Sequence, residues 1–499
     1  MARRPPIEVI VFVVGASSLG AEIAAARLLA PYFGASTIVW ANTIATVLVA
    51  LSIGYWIGGR LAQRNPTPRG MSGLVLGAAV LLALVPFAAG PFLRTSVKAF
   101  DALSAGAFIG SLFGVLVLVA VPVILLGAVA PYAIRLRVRT VEESGAVAGR
   151  LYAISTVGSL VGVFLSALAT IPFLGTRRTF LAFALALAVV GALGLSRRYA
   201  LAPLAVALLI AVPVGTVKGQ DGRVIWERET TYQYARVTED ADGERNLELN
   251  EGQAVHSVYR PDTVLTDGVW DGYLVLPFAA RRDPPRRLAI LGNAAGTTAR
   301  AYERFFPRTH IDGVEIDGDL TEVGRELFGM DNPRLRTHTA DARPWLAEQD
   351  DGRFDAIFVD AYRQPYIPFY LATREFFELA REKLAPGGVV IVNAGHPEGS
   401  DDLEEVLSAT MREAFPTVLR EPIEDTNTLL LATAASGAGP ARLRAAVPGL
   451  PPELRPLAEE SAARLAPSLR GGRVYTDDRA PVEWLIDTSI VEYAAGGGE

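Results

Sequence analysis

The chain has 499 residues, with 47 lysines and arginines against 53 aspartates and glutamates, and no cysteine. Disulfides, thiolate metal sites and cysteine nucleophiles are therefore excluded, and four scattered histidines form no metal-ligand pattern, so no metal is expected. Residues 1–217 carry five acidic and sixteen basic side chains, the remainder 48 and 31, so a basic, apolar half precedes an acidic half of ordinary soluble composition.

In chain order, a short basic start (Met1–Pro6) leads at once into an apolar run, Ile7–Leu29, that is too long for a signal-peptide core. Seven segments are long enough to cross hydrocarbon: about 8–30, 38–59, 72–92, 106–134, 148–173, 179–195 and 200–216. Eleven basic residues fall in the loops on the side of Arg3 and Arg4, and four, Arg94, Lys98, Arg177 and Arg178, on the other. That bias puts the N-terminus in the cytoplasm of a multi-pass cell-membrane protein. Seven crossings then place the C-terminal half outside, whereas a nucleotide-type cofactor made in the cytosol places it inside. Glu22 and Arg27 lie within the first span, either as an ion pair pinning helices together or as part of a path for a charged solute. Gly15, Ser17, Ser18 and Gly20 suit close packing in that span, and Gly54, Gly58 and Gly59 in the second.

A polar, glycine-rich linker, Pro213–Gly222, opens a small β-region. Arg223–Arg228, Tyr234–Glu239 and Asn246–Asn250 alternate as strands do, with a hairpin turn at Ala241–Gly243. Leu249–Gln253 closes the region, and a Trp- and Tyr-rich helix follows at about 266–280. The region either only caps the next domain or lines one wall of a cleft through Gln233, Asn250 and Gln253.

From Arg286 the pattern is βαβαβαβ, a parallel sheet with helices on both faces. Strands are expected at Arg286–Gly292, Ile311–Glu315, Leu335–Thr339, Phe354–Val359 and Gly388–Asn393, with a helix at Thr297–Phe306. The tight turn Asn293–Gly296 lets the backbone approach a ligand; Gly292, Asn293 and Gly296 are cofactor-binding candidates. Polar groups follow each strand: Asn293, Glu315, Asp341, Asp360 and Asn393. Glu315 suits a ribose diol, since a carboxylate accepts from two hydroxyls, and Asp341 an adenine amino group. Asp360 is the general-base candidate, and Asp317 caps the following helix.

The runs ILGNAAGTTAR, VEIDGDL, HTADARPWL, FDAIFVDAY and FYLATREFFELAREKLAPGGVVIVN resemble the spermidine synthase (polyamine aminopropyltransferase) family over about residues 225–435. YQYARVTED and LELNEGQAVHSVY resemble that family's N-terminal β-domain; GAEIAAARLLAPYFGAS and TDDRAPVEWL resemble its bacterial membrane-fused branch. The resemblance implies a multi-pass α-helical membrane domain fused to an α/β Rossmann-like methyltransferase/spermidine synthase fold with a small N-terminal β-subdomain. Its expected parts are 1–217 (about seven spans), 218–282 (linker and β-subdomain), 283–435 (cofactor domain) and 436–499 (helical extension and tail).

The resemblance further implies decarboxylated S-adenosylmethionine or S-adenosylmethionine held by Gln233, Glu315 and Asp341, and a small-molecule amine deprotonated by Asp360. Gln253, Tyr362 and Arg363 are then acceptor-facing residues. Ala295 and Arg363 stand where the family carries acids, and Asp271-Gly272-Tyr273 stands for its Tyr-His-Glu. Three readings stay open: an aminopropyltransferase, an S-adenosylmethionine-dependent methyltransferase or transferase with an anionic or lipid-like acceptor clamped by Arg363, and a transport or sensor protein with a nucleoside-binding domain. No nucleic-acid partner is expected, and a homodimer is left open. Near the end, Thr476–Pro481 either caps a helix before an edge strand, Val482–Ile486, or brings Asp477 or Asp478 back over the cleft to replace the missing acids.

Overall fold

The computed structural model describes residues 5–33, 37–64, 66–102, 106–212, 223–249, 254–362, 367–396 and 398–486. The chain divides into two compact units, 1–218 and 219–499.

The first unit is all helical: α1 (Ile7–Phe33), α2 (Thr37–Arg64), α3 (Pro68–Ala102), α4 (Gly106–Leu118), α5 (Ala120–Arg137), α6 (Ser144–Leu165), α7 (Ile171–Leu174), α8 (Thr176–Leu195) and α9 (Leu201–Ala211). Small residues bring helix backbones into contact. A Cβ on Gly54 or Gly58 of α2 would meet Ile124 O at 2.4 Å or Ala128 O at 2.3 Å on α5. One on Gly158 or Gly162 of α6 would meet Phe12 O at 2.3 Å or Ala16 O at 2.0 Å on α1. Gly15 is packed in the same way against Ser155 O, Gly20 meets the Phe183 ring instead, and Gly59 has nothing within 4 Å. Glu8 at the start of α1 meets Arg137 at the end of α5 (2.8 Å) and Arg150 in α6 (3.7 Å), so these arginine-bearing ends share one side of the bundle.

Six helical segments among the described residues are long and apolar enough to cross a membrane, not seven. The expected span 106–134 is two helices meeting at Val119, because Pro122 has no N–H for the Leu118 carbonyl and its ring crowds that oxygen. Of these, α5 alone meets the length of a span. Of the expected seventh span, 200–216, the described part holds the 11-residue α9; 213–217 fall outside the described residues.

The second unit begins with an antiparallel sheet, β1 (Arg223–Glu229), β2 (Tyr234–Glu239), β3 (Arg245–Leu249) and β4 (Ala254–Tyr259), in that spatial order. Ala235, Val237, Leu247 and Leu249 on one face pack against Ala294, Ala295, Leu320 and Phe328 of the neighbouring layer. The fourth strand is an addition to the expected three.

After α10 (Val269–Val275) come β5 (Arg287–Leu291), α11 (Thr297–Phe305), β6 (His310–Glu315), α12 (Gly318–Leu327), β7 (Leu335–Thr339), α13 (Ala342–Ala347), β8 (Phe354–Val359), α14 (Arg374–Lys383), β9 (Leu384–Gly395) and α15 (Asp402–Ala414). The hairpin β10 (Thr417–Glu424) and β11 (Asn427–Thr433), then α16 (Pro440–Ala446), α17 (Arg455–Arg464) and the short β12 (Ala466–Pro467), complete the fold. The sheet order is β12-β10-β11-β9-β8-β5-β6-β7, parallel from β7 to β9 and antiparallel beyond. Apolar runs such as Phe354–Val359 form central strands because both faces are covered. Ile357 and Val359 join one buried cluster, Ala356 and Phe358 the other. β5 pairs with both β6 and β8, and crossovers leave it in opposite directions, which opens a crevice at the carboxyl ends of the strands. Val482–Ile486, expected as an edge strand, is helical.

Candidate active site

That crevice is a cavity of ≈ 820 Å³ between the carboxyl edge of the large sheet and the small sheet. Its floor is the turn after β5. Gly292 has φ +90, and a Cβ there would meet Asp360 O at 2.4 Å, so only glycine fits. The Gly292 and Asn293 N–H groups both donate to Val314 O, at 2.9 and 3.0 Å, closing the turn on β6. Gly296, with φ +87, starts α11 against Met330.

Glu315 ends β6 at 7% exposure. Its two oxygens accept from Ala294 N at 2.9 Å and Asp317 N at 3.0 Å. Burial lifts its carboxyl to about 7, opposed by those N–H groups. Each oxygen keeps a lone pair for a further donor. Asp317 caps α12 through Asp319 N and accepts from Thr230 Oγ1 at 2.5 Å. Asp341 caps α13 through Arg343 N (3.1 Å) and accepts from Tyr370 Oη (2.8 Å).

Asp360, at the end of β8, accepts from Asn393 Nδ2 at 2.9 Å and from Trp270 Nε1 at 3.1 Å, one bond to each oxygen. Asn427 of β11 donates to Asn393 Oδ1 at 2.9 Å, fixing the amide that orients Asp360. Burial raises the Asp360 carboxyl above its ordinary value, while the Asn393 and Trp270 bonds pull it down. Tyr362 lines the cavity, and its hydroxyl donates to Asn393 O (2.7 Å) and accepts from Gly395 N (2.5 Å), which ties it to β9.

The fold thus gathers Gln233, Gly292, Glu315, Asp341, Asp360 and Tyr362 around one cavity. Asn293 and Gly296 do not line it: Asn293 Nδ2 turns to Met330 Sδ at 3.3 Å. Gln253, Arg363 and Asn250 lie outside the described residues. Ala295 is fully buried, its N–H donating to Ser257 Oγ at 3.0 Å. Asp477 does fold back, but onto Arg343, at 2.7 and 2.6 Å, and Thr373, at 2.7 Å, rather than into the cavity. Trp270, Tyr370, Asn427 and His256 were not singled out by sequence. The aromatic-rich helix is a signal for Trp270, whereas Asn427 reaches Asn393 only through the β11–β9 pairing.

Residues 275–424 match the spermine/spermidine synthase domain. A probable polyamine aminopropyl transferase of Bifidobacterium longum is 36% identical over 218 residues, 42% of this chain and 48% of the relative. A polyamine aminopropyltransferase of Vibrio vulnificus is 30% identical over 181 residues, 35% of this chain and 60% of the relative. The chain therefore spans about half the length of the first of these and 60% of the second. A solved probable spermidine synthase from Corynebacterium glutamicum aligns at 20% identity and a TM-score of 0.40, covering 51% of this chain and 98% of its own.

Proposed function

We propose, from a chain that carries a spermine/spermidine synthase domain at residues 275–424, that the second unit transfers an aminopropyl group from decarboxylated S-adenosylmethionine to a small amine, and that the first unit anchors it in a membrane. The observation that carries the reading is the Asp360 carboxylate, held by Trp270 and Asn393 on the same cavity as Glu315 and Asp341.

The donor supplies a sulfonium carbon open to attack and leaves as a neutral thioether. Glu315 accepts from the ribose hydroxyls, Asp341 faces the adenine with Gln233 on the opposite wall, and Gly292 gives the nucleoside room by lacking a Cβ. Asp360 accepts a proton from the incoming ammonium. The freed nitrogen pair then forms the new C–N bond as the C–S bond breaks. Trp270 and Asn393 keep both carboxylate oxygens oriented during the transfer, and burial strengthens Asp360 as a base. Glu424, Glu244 and Asp267 also line the cavity, and they outnumber the Arg260 guanidinium there, which pairs with Glu244 at 2.7 Å and Asp267 at 2.6 Å; this balance supports a cationic acceptor over an anionic one.

Six crossings, an even number, would bring the chain back to the side of the N-terminus, where the loop arginines are concentrated, and this supports a cytoplasmic second unit. The apolar helical run that contains α9, Arg198–Ala211, is shorter than the roughly 20 residues a crossing needs, which supports six crossings over seven.

The test is an assay of the full chain in detergent with decarboxylated S-adenosylmethionine and putrescine, reading methylthioadenosine release. Asp360→Asn is expected to lower kcat by about 10²–10⁴-fold while nucleoside binding persists. Release from intact S-adenosylmethionine of S-adenosylhomocysteine instead would favour methyl transfer.

A further inference from the structure

One wall of the cavity contains a device that neither Asp360 nor the nucleoside contacts use. β4 pairs with β3 in a register that places Leu247 opposite Ser257 and Glu248 opposite Val255, leaving His256 as an extra, unpaired residue. This is a β-bulge, which re-aims a side chain that regular alternation would direct elsewhere. Val255, His256 and Val258 accordingly all line the cavity. The His256 Nε2 is shielded from solvent and has no hydrogen-bond partner among the described residues. Burial holds the imidazole down at about 4, so the ring is neutral near pH 7 and presents one accepting nitrogen. A shielded polar atom without a partner is costly unless a ligand satisfies it.

The position of the ring identifies that ligand group. Its neighbours in β4 are bonded to the turn: Ser257 Oγ accepts from Ala295 N at 3.0 Å, and Val258 N donates to Thr297 Oγ1 at 2.9 Å. His256 therefore lies beside the turn, which offers no charged side chain, its residues being Asn293, Ala294, Ala295, Gly296 and Thr297. A donor whose nucleoside sits at Glu315 and Asp341 and whose reactive carbon points to Asp360 carries its alkyl arm between these walls. An ammonium has three donor hydrogens and no acceptor, so it needs an accepting atom. A neutral imidazole supplies one without the charge of a lysine or arginine, which would repel the sulfonium.

We infer that His256 accepts a hydrogen bond from the ammonium group on the donor's alkyl arm and so selects an aminopropyl-bearing nucleoside over one without the arm. This rests on the aminopropyl-transfer reading above.

The experiment compares binding of decarboxylated S-adenosylmethionine, which has the ammonium, and methylthioadenosine, which lacks it, to the full chain in detergent by calorimetry. His256→Leu is expected to weaken the first at least tenfold and change the second less than twofold. His256→Phe, which keeps the ring shape, is expected to behave alike, and His256→Gln, which keeps an accepting oxygen, to retain most of the affinity. A loss shared equally by both ligands, in either the Leu or the Phe variant, overturns the inference, as does no loss of either. If wild-type protein binds both ligands and the variants fail to discriminate, only the role of His256 falls. If wild-type protein binds neither, the transferase reading falls with it.

Discussion

Glu315 and Asp360 are two carboxylates at the ends of neighbouring parts of one sheet, and their surroundings separate their chemistry. Glu315 is 7% exposed, and although it accepts backbone N–H groups, Ala294 and Asp317 among them, burial outweighs them and lifts it from 4.5 to about 7. Its folded value exceeds the unfolded one, so the folded chain binds the extra proton between those values. The stability it contributes is complete below about 4.5 and falls as pH rises toward 7. Ribose hydroxyls are accepted best by the ionised form, so methylthioadenosine binding is expected to strengthen from pH 6 to pH 8. Glu315→Gln is expected to abolish that dependence and to cost about ten- to a hundredfold in affinity, as loss of charged hydrogen bonds does. Calorimetry across that pH range checks both. Gly292→Ala forces a Cβ to 2.4 Å from Asp360 O at φ +90. A stability loss of about 1–3 kcal/mol is expected in thermal unfolding, together with weaker nucleoside binding. The carboxylates and Gly292 were legible in sequence because each ends or follows an apolar run. The direction of the Asn293 side chain is not legible in sequence, because a turn residue's orientation depends on a distant neighbour, here Met330.

Among the elements, the five parallel strands were legible because fully buried strands read as apolar runs between turn signals. The six-residue β4 and the β10–β11 hairpin were not. β4 contains a bulge that breaks its alternation, and the hairpin mixes buried and polar positions, Glu421 being fully buried beside Arg464. Val482–Ile486 illustrates the reverse error, since five apolar-rich residues do not distinguish a strand from a helical turn. That C-terminal segment nevertheless reaches the site. Asp477 grips Arg343 through both oxygens, Arg343 donates to Tyr370 O at 3.0 Å, and the Tyr370 hydroxyl donates to Asp341. Asp477→Ala is expected to free Arg343 and loosen the wall around Asp341. Nucleoside affinity should then fall several-fold, with kcat at saturating donor little changed. Equal kcat and KM effects in steady-state kinetics would count against this positioning role.

At the scale of the whole molecule, composition already divided the chain near residue 217, and the compact units divide at 218 and 219. The number of crossings is harder to read, because hydropathy does not reveal the short reach of α9. Six crossings predict that a C-terminal fluorescent protein matures in the cytoplasm and that a C-terminal alkaline phosphatase stays inactive; the opposite pair of results would restore seven. The proposed role of Asp360 is to deprotonate an amine that attacks an adenosyl donor in this cleft. It is tested most directly by methylthioadenosine release from decarboxylated S-adenosylmethionine and putrescine, comparing wild-type chain with Asp360→Asn. Release by the wild type is expected, with a fall of at least about a hundredfold in the variant while nucleoside binding stays intact. Equal release by both proteins, or none by a wild type that binds the donor, would contradict it.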